Sequence, residues 1–308
     1  MPIENALINR RVLLGSALGF ATLKSSFANE NVLIERIESK YSTILMYRRG
    51  DYVTMTFGYN RRLYTESIGN VADELELPVP YTRFMTTFML YPKEVENILE
   101  IGLGGGTTAW YLHKHMPDLD ITSVELDPKV VEMAKKYFHV RETEKLKIEA
   151  RDGRVHMIRN KGPYSAILVD AYRGQFVPFH MMTVEFYELA KSRLAPGGVL
   201  VQNVEPKTML FDASVATLRQ VFDQVEFYLA RGNVVTVAYD GPQRTNEELL
   251  QRADTLQAEH RFRYALPELL DQRRVLNDEA VGKPLTDDFA PVETLRAIDN
   301  HNRKWVEP

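Results

Sequence analysis

The chain has no cysteine among its 308 residues, which excludes disulfide staples and thiolate metal sites. Its seven histidines show no close paired spacing of the kind metals favour, so no metal ligand set is expected. Positive charge is not in excess: 38 Lys and Arg stand against 42 Asp and Glu, for a formal net charge of -4. Nothing in that balance attracts a polyanion, so nucleic acid is not expected as a partner and a small molecule is. No segment has the length and apolarity of a membrane-spanning helix, so stable membrane insertion is not expected. Repeats and low-complexity tracts are also absent. What is present is 44% hydrophobic and 26% charged residues, enough to build one large core with a small appendage.

The N-terminus carries Arg10-Arg11 ahead of an apolar run to Leu23, then Lys24 and the small-x-small end Ser26-Phe27-Ala28. This looks like a twin-arginine export signal over residues 1–28, which implies a periplasmic or exported mature protein. The alternative is an N-terminal tail on a cytoplasmic protein. Residues 32–64 alternate apolar and polar around the turns Arg49-Gly50-Asp51 and Gly58-Tyr59-Asn60, the pattern of a small antiparallel β domain, placed at 29–80. Residues 81–91 are apolar at helical spacing. Strands and helices then alternate: strands at 97–101, 121–125, 146–150, 166–170, 198–203 and 234–239, and helices from Thr107 and over 128–138. Short apolar strands separated by helices call for a parallel sheet covered on both faces, here a nucleoside-binding domain at 81–245. Residues 246–308 read as a helical extension, with a surface helix pair over 246–270.

Four strand ends carry the chemistry. The first runs into Glu100-Ile101-Gly102-Leu103-Gly104-Gly105-Gly106-Thr107, a bend whose glycines, Gly102, Gly104 and Gly106 among them, let main chain approach a ligand; the alternative is a bend that only packs helix on sheet. The second ends at Glu125, where a carboxylate can accept from both ribose hydroxyls, while Asp127 suits the cap of the next helix. The third ends in Asp152-Gly153, with an acid where an adenine amino group would lie. The fourth ends at Asp170, in the crevice where open α/β sheets bind ligands, and makes it the candidate catalytic residue; a loop-capping role is the alternative.

These residues, together with 177–187 and 285–293, resemble the polyamine aminopropyltransferases, that is spermidine synthase and its relatives, in their bacterial spermidine-synthase-like branch. The resemblance implies a seven-stranded S-adenosylmethionine-dependent methyltransferase-like (Rossmann-like) α/β domain behind the small β domain, and a homodimer. It also implies decarboxylated S-adenosylmethionine as co-substrate, an amine acceptor held by Tyr81, Tyr172 and position 173, and Asp170 as base. Three departures stand out. Arg173 replaces a second aspartate, Gly105 replaces the acid that grips the aminopropyl ammonium, and 81–88 lacks the usual acid and histidine. Each lost contact to a buried cation costs about 1.5 to 3 kcal/mol, so the acceptor site is expected to have diverged, with Arg173 or Arg83 suiting an acceptor that bears a carboxylate. Methyl transfer from intact S-adenosylmethionine, and an exported nucleoside- or polyamine-binding protein without turnover, stay open beside aminopropyl transfer.

Overall fold

A computed structural model describes residues 30–59, 62–172, 177–204, 206, 210–275 and 282–288. The expected export segment and Arg173 lie outside the described residues. Among those described, no helix is long and apolar enough to cross a membrane.

Four antiparallel strands, β1 (Val32–Glu38), β2 (Thr43–Arg49), β3 (Tyr52–Tyr59) and β4 (Arg62–Asn70), form a small sheet in the order β1-β2-β3-β4. The alternation that fades near Tyr64 in the sequence continues in backbone pairing to Asn70. β4 carries an irregularity: Met55 pairs with Ser67 but Thr56 pairs with Thr65, leaving Glu66 as an extra residue. A β-bulge of this kind bends the strand and re-aims its side chains.

The short helix α1 (Pro80–Met85) and a 3-10 turn (Thr86–Leu90) lead into the larger sheet. Its elements in chain order are β5 (Asn97–Ile101), α2 (Thr107–His115), β6 (Asp120–Glu125), α3 (Pro128–Tyr137), β7 (Leu146–Ala150), α4 (Gly153–Arg159), β8 (Tyr164–Val169), α5 (Val184–Lys191), β9 (Leu194–Val204), α6 (Phe211–Val221), β10 (Gln224–Ala230), β11 (Asn233–Tyr239), α7 (Asn246–His260) and β12 (Arg273–Val275). The strands lie in the order β12-β10-β11-β9-β8-β5-β6-β7. β9, β8, β5, β6 and β7 run parallel, whereas β11, β10 and β12 pair antiparallel. Every residue of β8 is buried, as a central strand covered on both faces requires.

Eight strands therefore stand where seven were expected. The eighth, β12, lies in the stretch read as a helical extension, where among the described residues α7 and a 3-10 turn (Leu266–Gln272) are helical. β10 had no reading of its own because Glu226 interrupts its apolar pattern. That carboxylate is 1% exposed and meets Arg273 of β12 at 2.5 Å, while Tyr91 and Tyr239 donate to it at 2.6 and 2.7 Å. The ion pair fastens the edge strand to the sheet.

The chain passes from β5 outward to β6 and β7, then returns to β8 beside β5, so the topological switch point lies between β5 and β8. Ligands of open α/β sheets bind outside the carboxyl ends at such a point. The small sheet is held nearby by a core in which Ile44, Met46, Val53 and Met55 pack on Val130, Met133 and Phe138 of α3 and its end.

Replacing Arg273 by alanine strands the buried Glu226 without its cation and is expected to lower unfolding stability by about 3 kcal/mol in urea titration. Glu226→Gln with Arg273→Met, which keeps an acceptor for the Tyr91 and Tyr239 hydroxyls, is expected to recover part of that loss.

Candidate active site

Gly102 ends β5 and sits hard against β8. Its φ is +98°, and a Cβ there would lie 2.2 Å from the carbonyl oxygen of Asp170. Only glycine lets the two strand ends meet this closely. The Asp170 N–H donates to the Ile101 carbonyl at 2.8 Å, and the Gly102 N–H donates to Val124 at 2.8 Å. The bend and the candidate catalytic acid are therefore one rigid unit.

A cavity of about 460 Å³ opens above this unit, lined by Gly102, Leu103 and Gly104 of the bend, by Tyr81 and Tyr172, and by the small-sheet residues Glu66 and Ser67. Six acidic residues line it, Glu66, Glu100, Glu125, Asp127, Asp152 and Asp170. Among the described lining residues there is no Lys or Arg, and His180 is the one histidine.

Asp170 accepts hydrogen bonds from the Tyr81 hydroxyl and the Asn203 side-chain amide, both at 2.9 Å. Asn203, at the end of β9, is itself oriented by Asn233 at 3.0 Å, and the Tyr172 hydroxyl donates to the Asn203 carbonyl at 2.9 Å. Burial raises the Asp170 carboxyl above the usual aspartate range, and the two hydrogen bonds oppose that rise by favouring the anion.

Glu125 holds the bend from the next strand. One carboxylate oxygen accepts from the Leu103 and Gly104 N–H groups at 3.1 and 3.4 Å, and the other from Asp127 at 3.0 Å. Burial raises this carboxyl, and the three amides work against the rise. A carboxylate offers roughly four acceptor positions, so one stays open toward the cavity. Asp127 caps α3 through Lys129 at 2.9 Å, as its position suggested.

Asp152 has a double duty. One oxygen accepts from the Val155 N–H at 2.9 Å and caps α4, while the other faces His180 at 3.5 Å. The imidazole is the main reason this carboxyl is held below the usual range, against the opposing effect of burial. Gly153 also lines the cavity and packs on Ile101, whose Cγ2 a Cβ would meet at 2.2 Å.

Three expectations change, and a fourth, the missing acid at Gly105, gains a physical reason. Gly106 lies off the cavity wall; it begins α2 at φ +68° and packs on Val140. Arg83 also lies off the wall and donates to the Leu77 carbonyl at 3.1 Å. A Cβ on Gly105 would meet the Phe138 ring at 2.7 Å, so its side of the bend has no room for an acid. Particular acids of the amine half were read as lost, yet Glu66 and Glu100, which were not anticipated, both line the cavity. Burial pushes each up to about 8: for Glu66 the charges of Asp170 and Glu125 add to it, and for Glu100 a hydrogen bond from Ser123 opposes it. Asn203 and Ser67 were not anticipated either. Asn203 closes an apolar strand and carried a legible polar signal, whereas Glu66 depends on a bulge with no local sequence mark. Among the described residues, no group of three His, Asp or Glu is arranged to hold a metal ion.

A glycine bend and acidic strand ends at a switch point, behind a small antiparallel sheet, define a transferase of the methyltransferase-like α/β class. The sequence profile of the Spermine/spermidine synthase domain matches residues 79–238. The chain is 31% identical over 304 residues to a polyamine aminopropyltransferase of Vibrio vulnificus, covering 94% of this chain and 99% of that protein. It belongs to the spermine/spermidine synthase family and is a transferase of that kind. In fold, it resembles spermidine synthase from Thermotoga maritima with a TM-score of 0.65 at 20% identity, over 80% of this chain and 85% of that one. Human methyltransferase-like protein 13, solved in complex with SAH, gives a TM-score of 0.54 at 23% identity, over 66% of this chain and 97% of that one.

The raised acids make stability fall with pH. A carboxyl whose folded pKa lies above its unfolded value keeps its proton longer in the native state, so stability declines as pH rises from about 4.5 to about 8. Glu100→Gln is expected to flatten that decline by at most about 1.4 kcal/mol per pH unit, read from urea midpoints across the range.

Proposed function

We propose that the enzyme binds decarboxylated S-adenosylmethionine over the Gly102 bend and transfers its aminopropyl group to an amine whose site has diverged from the familiar one. The observation that carries this reading is the cavity of about 460 Å³ with six acidic residues and no Lys or Arg among its described lining residues. Such a wall favours a ligand bearing both a sulfonium and an ammonium, and disfavours one bearing a carboxylate. Glu125 suits the ribose hydroxyls, and Asp152 with Gly153 suits the adenine edge.

The chemistry is a displacement at the carbon beside the sulfonium. The amine nitrogen forms a bond to that carbon, the carbon–sulfur bond breaks, and its electron pair stays on sulfur, giving neutral methylthioadenosine. The acceptor must first shed a proton held with a pKa of about 10, and Asp170 takes it. The raised pKa of Asp170 makes it a stronger base than a solvated aspartate, while hydrogen bonds from Tyr81 and Asn203 fix its direction and favour the anion against burial. Holding both reactants in one cavity supplies much of the remaining acceleration.

Methyl transfer from intact S-adenosylmethionine is the second reading, supported by the missing acid at Gly105, where the Phe138 ring fills the space. The two differ in product: methylthioadenosine for aminopropyl transfer, S-adenosylhomocysteine for methyl transfer.

Asp170→Asn keeps the shape of the site and removes the base. It is expected to lower kcat roughly 100- to 10,000-fold, measured as methylthioadenosine release, while methylthioadenosine affinity changes by less than about threefold. Release of S-adenosylhomocysteine instead would sink the aminopropyl reading.

A further inference from the structure

Residues 285–293 carry part of the family resemblance, yet none of the described ones, 285–288, lines the cavity. They hold what does line it. Leu285 is buried in a cluster with Val177, Met181 and Phe186; its carbonyl accepts from the Val184 N–H at 2.8 Å, and its own N–H donates to the Thr217 hydroxyl at 2.9 Å. Two residues on, Asp287 accepts from the Thr183 hydroxyl at 2.8 Å and donates its N–H to Glu185 at 2.9 Å. Residues 282–288 are thus a strap fixed across the start of α5. Arg154 of α4 stands between this strap and the cavity wall. Its guanidinium makes a two-pronged pair with Asp287, one prong at 2.8 Å, and also donates to the His180 carbonyl at 3.0 Å. Pro178, Phe179, His180 and Met181 all line the cavity, in a 3-10 turn closed by the Met181 N–H on the Pro178 carbonyl at 2.9 Å. The same α4 is capped by Asp152, which faces the His180 ring. Two ties therefore join α4 to the turn, the Asp152–His180 contact at the cavity and the Arg154 bond behind it, and Asp287 braces the second from outside.

We propose that Arg154, oriented by Asp287 of the strap, is a positioning residue for the nucleoside: it sets the 178–181 turn against Asp152 and so fixes the width of that side of the cavity. The inference rests on the reading above that the adenine edge lies beside Asp152. A planar fork can hold a carboxylate and a carbonyl at fixed angles, which a lysine ammonium on its flexible stem cannot. Asp170 is aimed by Tyr81 and Asn203, through bonds that do not involve the strap, so the device acts on nucleoside binding and not on the displacement. The Arg154 and Asp287 side chains are 19% and 37% exposed, so the pair adds little to overall stability and its loss is read at the cavity.

Calorimetric titration of the full chain with methylthioadenosine, beside steady-state kinetics and urea unfolding, tests this. Arg154→Met and Asp287→Asn are each expected to weaken methylthioadenosine roughly 3- to 10-fold and to raise the KM of the nucleoside substrate alike, with kcat within about twofold and urea midpoints near wild type. Arg154→Lys is expected to recover only part of the affinity. Because both residues act through one tie, the double variant is expected to bind no more than about twofold more weakly than the worse single one. Wild-type affinity in either single variant, a lowered urea midpoint with affinity unchanged, a loss in kcat in place of KM, or additive losses in the double variant would each overturn the role of Arg154 and Asp287 while the ligand class stands. If the wild-type protein binds no methylthioadenosine, the adenosyl reading falls and this inference falls with it.

Discussion

Gly102 rests on the carbonyl of Asp170 with room for a hydrogen and nothing larger. Because β5 and β8 are neighbours separated by the whole β6–β7 excursion, this contact joins two strand ends far apart in sequence. It sets the distance between the bend over which a nucleoside would lie and the acid that would act on its arm. Glu125 reinforces it from one side through the amides of Leu103 and Gly104, and Asn203 from the other through the Asp170 carboxylate. The Ser67 hydroxyl adds the small sheet to the same bend. The site is thus assembled from β4, β5, β6, β8 and β9 around one close approach, and each acid is aimed by hydrogen bonds to its own scaffold.

That arrangement concentrates carboxylates, and concentration has an energetic cost. Burial lifts Glu66 and Glu100 to about 8 and raises Glu125 and Asp170 above their ordinary values, so each is a stronger base than a solvated carboxylate. The core offsets the strain elsewhere: two apolar clusters cover the faces of the larger sheet, and a third joins the small sheet to α3. A cationic ligand relieves the repulsion on binding.

Much of this was legible in the sequence. Glycines after an apolar strand, acids at the next three strand tips and apolar runs at regular intervals identify the α/β sheet and its switch point, because those features are local in the chain. Asp127 as a cap and Asp170 at a strand end follow from spacing alone. Glu226 concealed β10, since a charge inside a buried strand is explained only by Arg273, which arrives 47 residues later. Glu66 was hidden for a similar reason: alternation faded before β4 ended, and a bulge announces itself only through the partner strand's register. The vacancy at Gly105 was visible, but the Phe138 ring that enforces it was not. What the sequence withheld were the pairings between distant segments.

The central claim is that the acidic cavity over the Gly102 bend receives an adenosyl ligand with its sulfur end toward Asp170. A crystal structure of the protein with methylthioadenosine tests it directly. The account predicts ribose hydroxyls on the Glu125 carboxylate, the adenine edge beside Asp152, and the sulfur beside Asp170. A nucleoside bound in reverse orientation, or found outside this cavity, would contradict it.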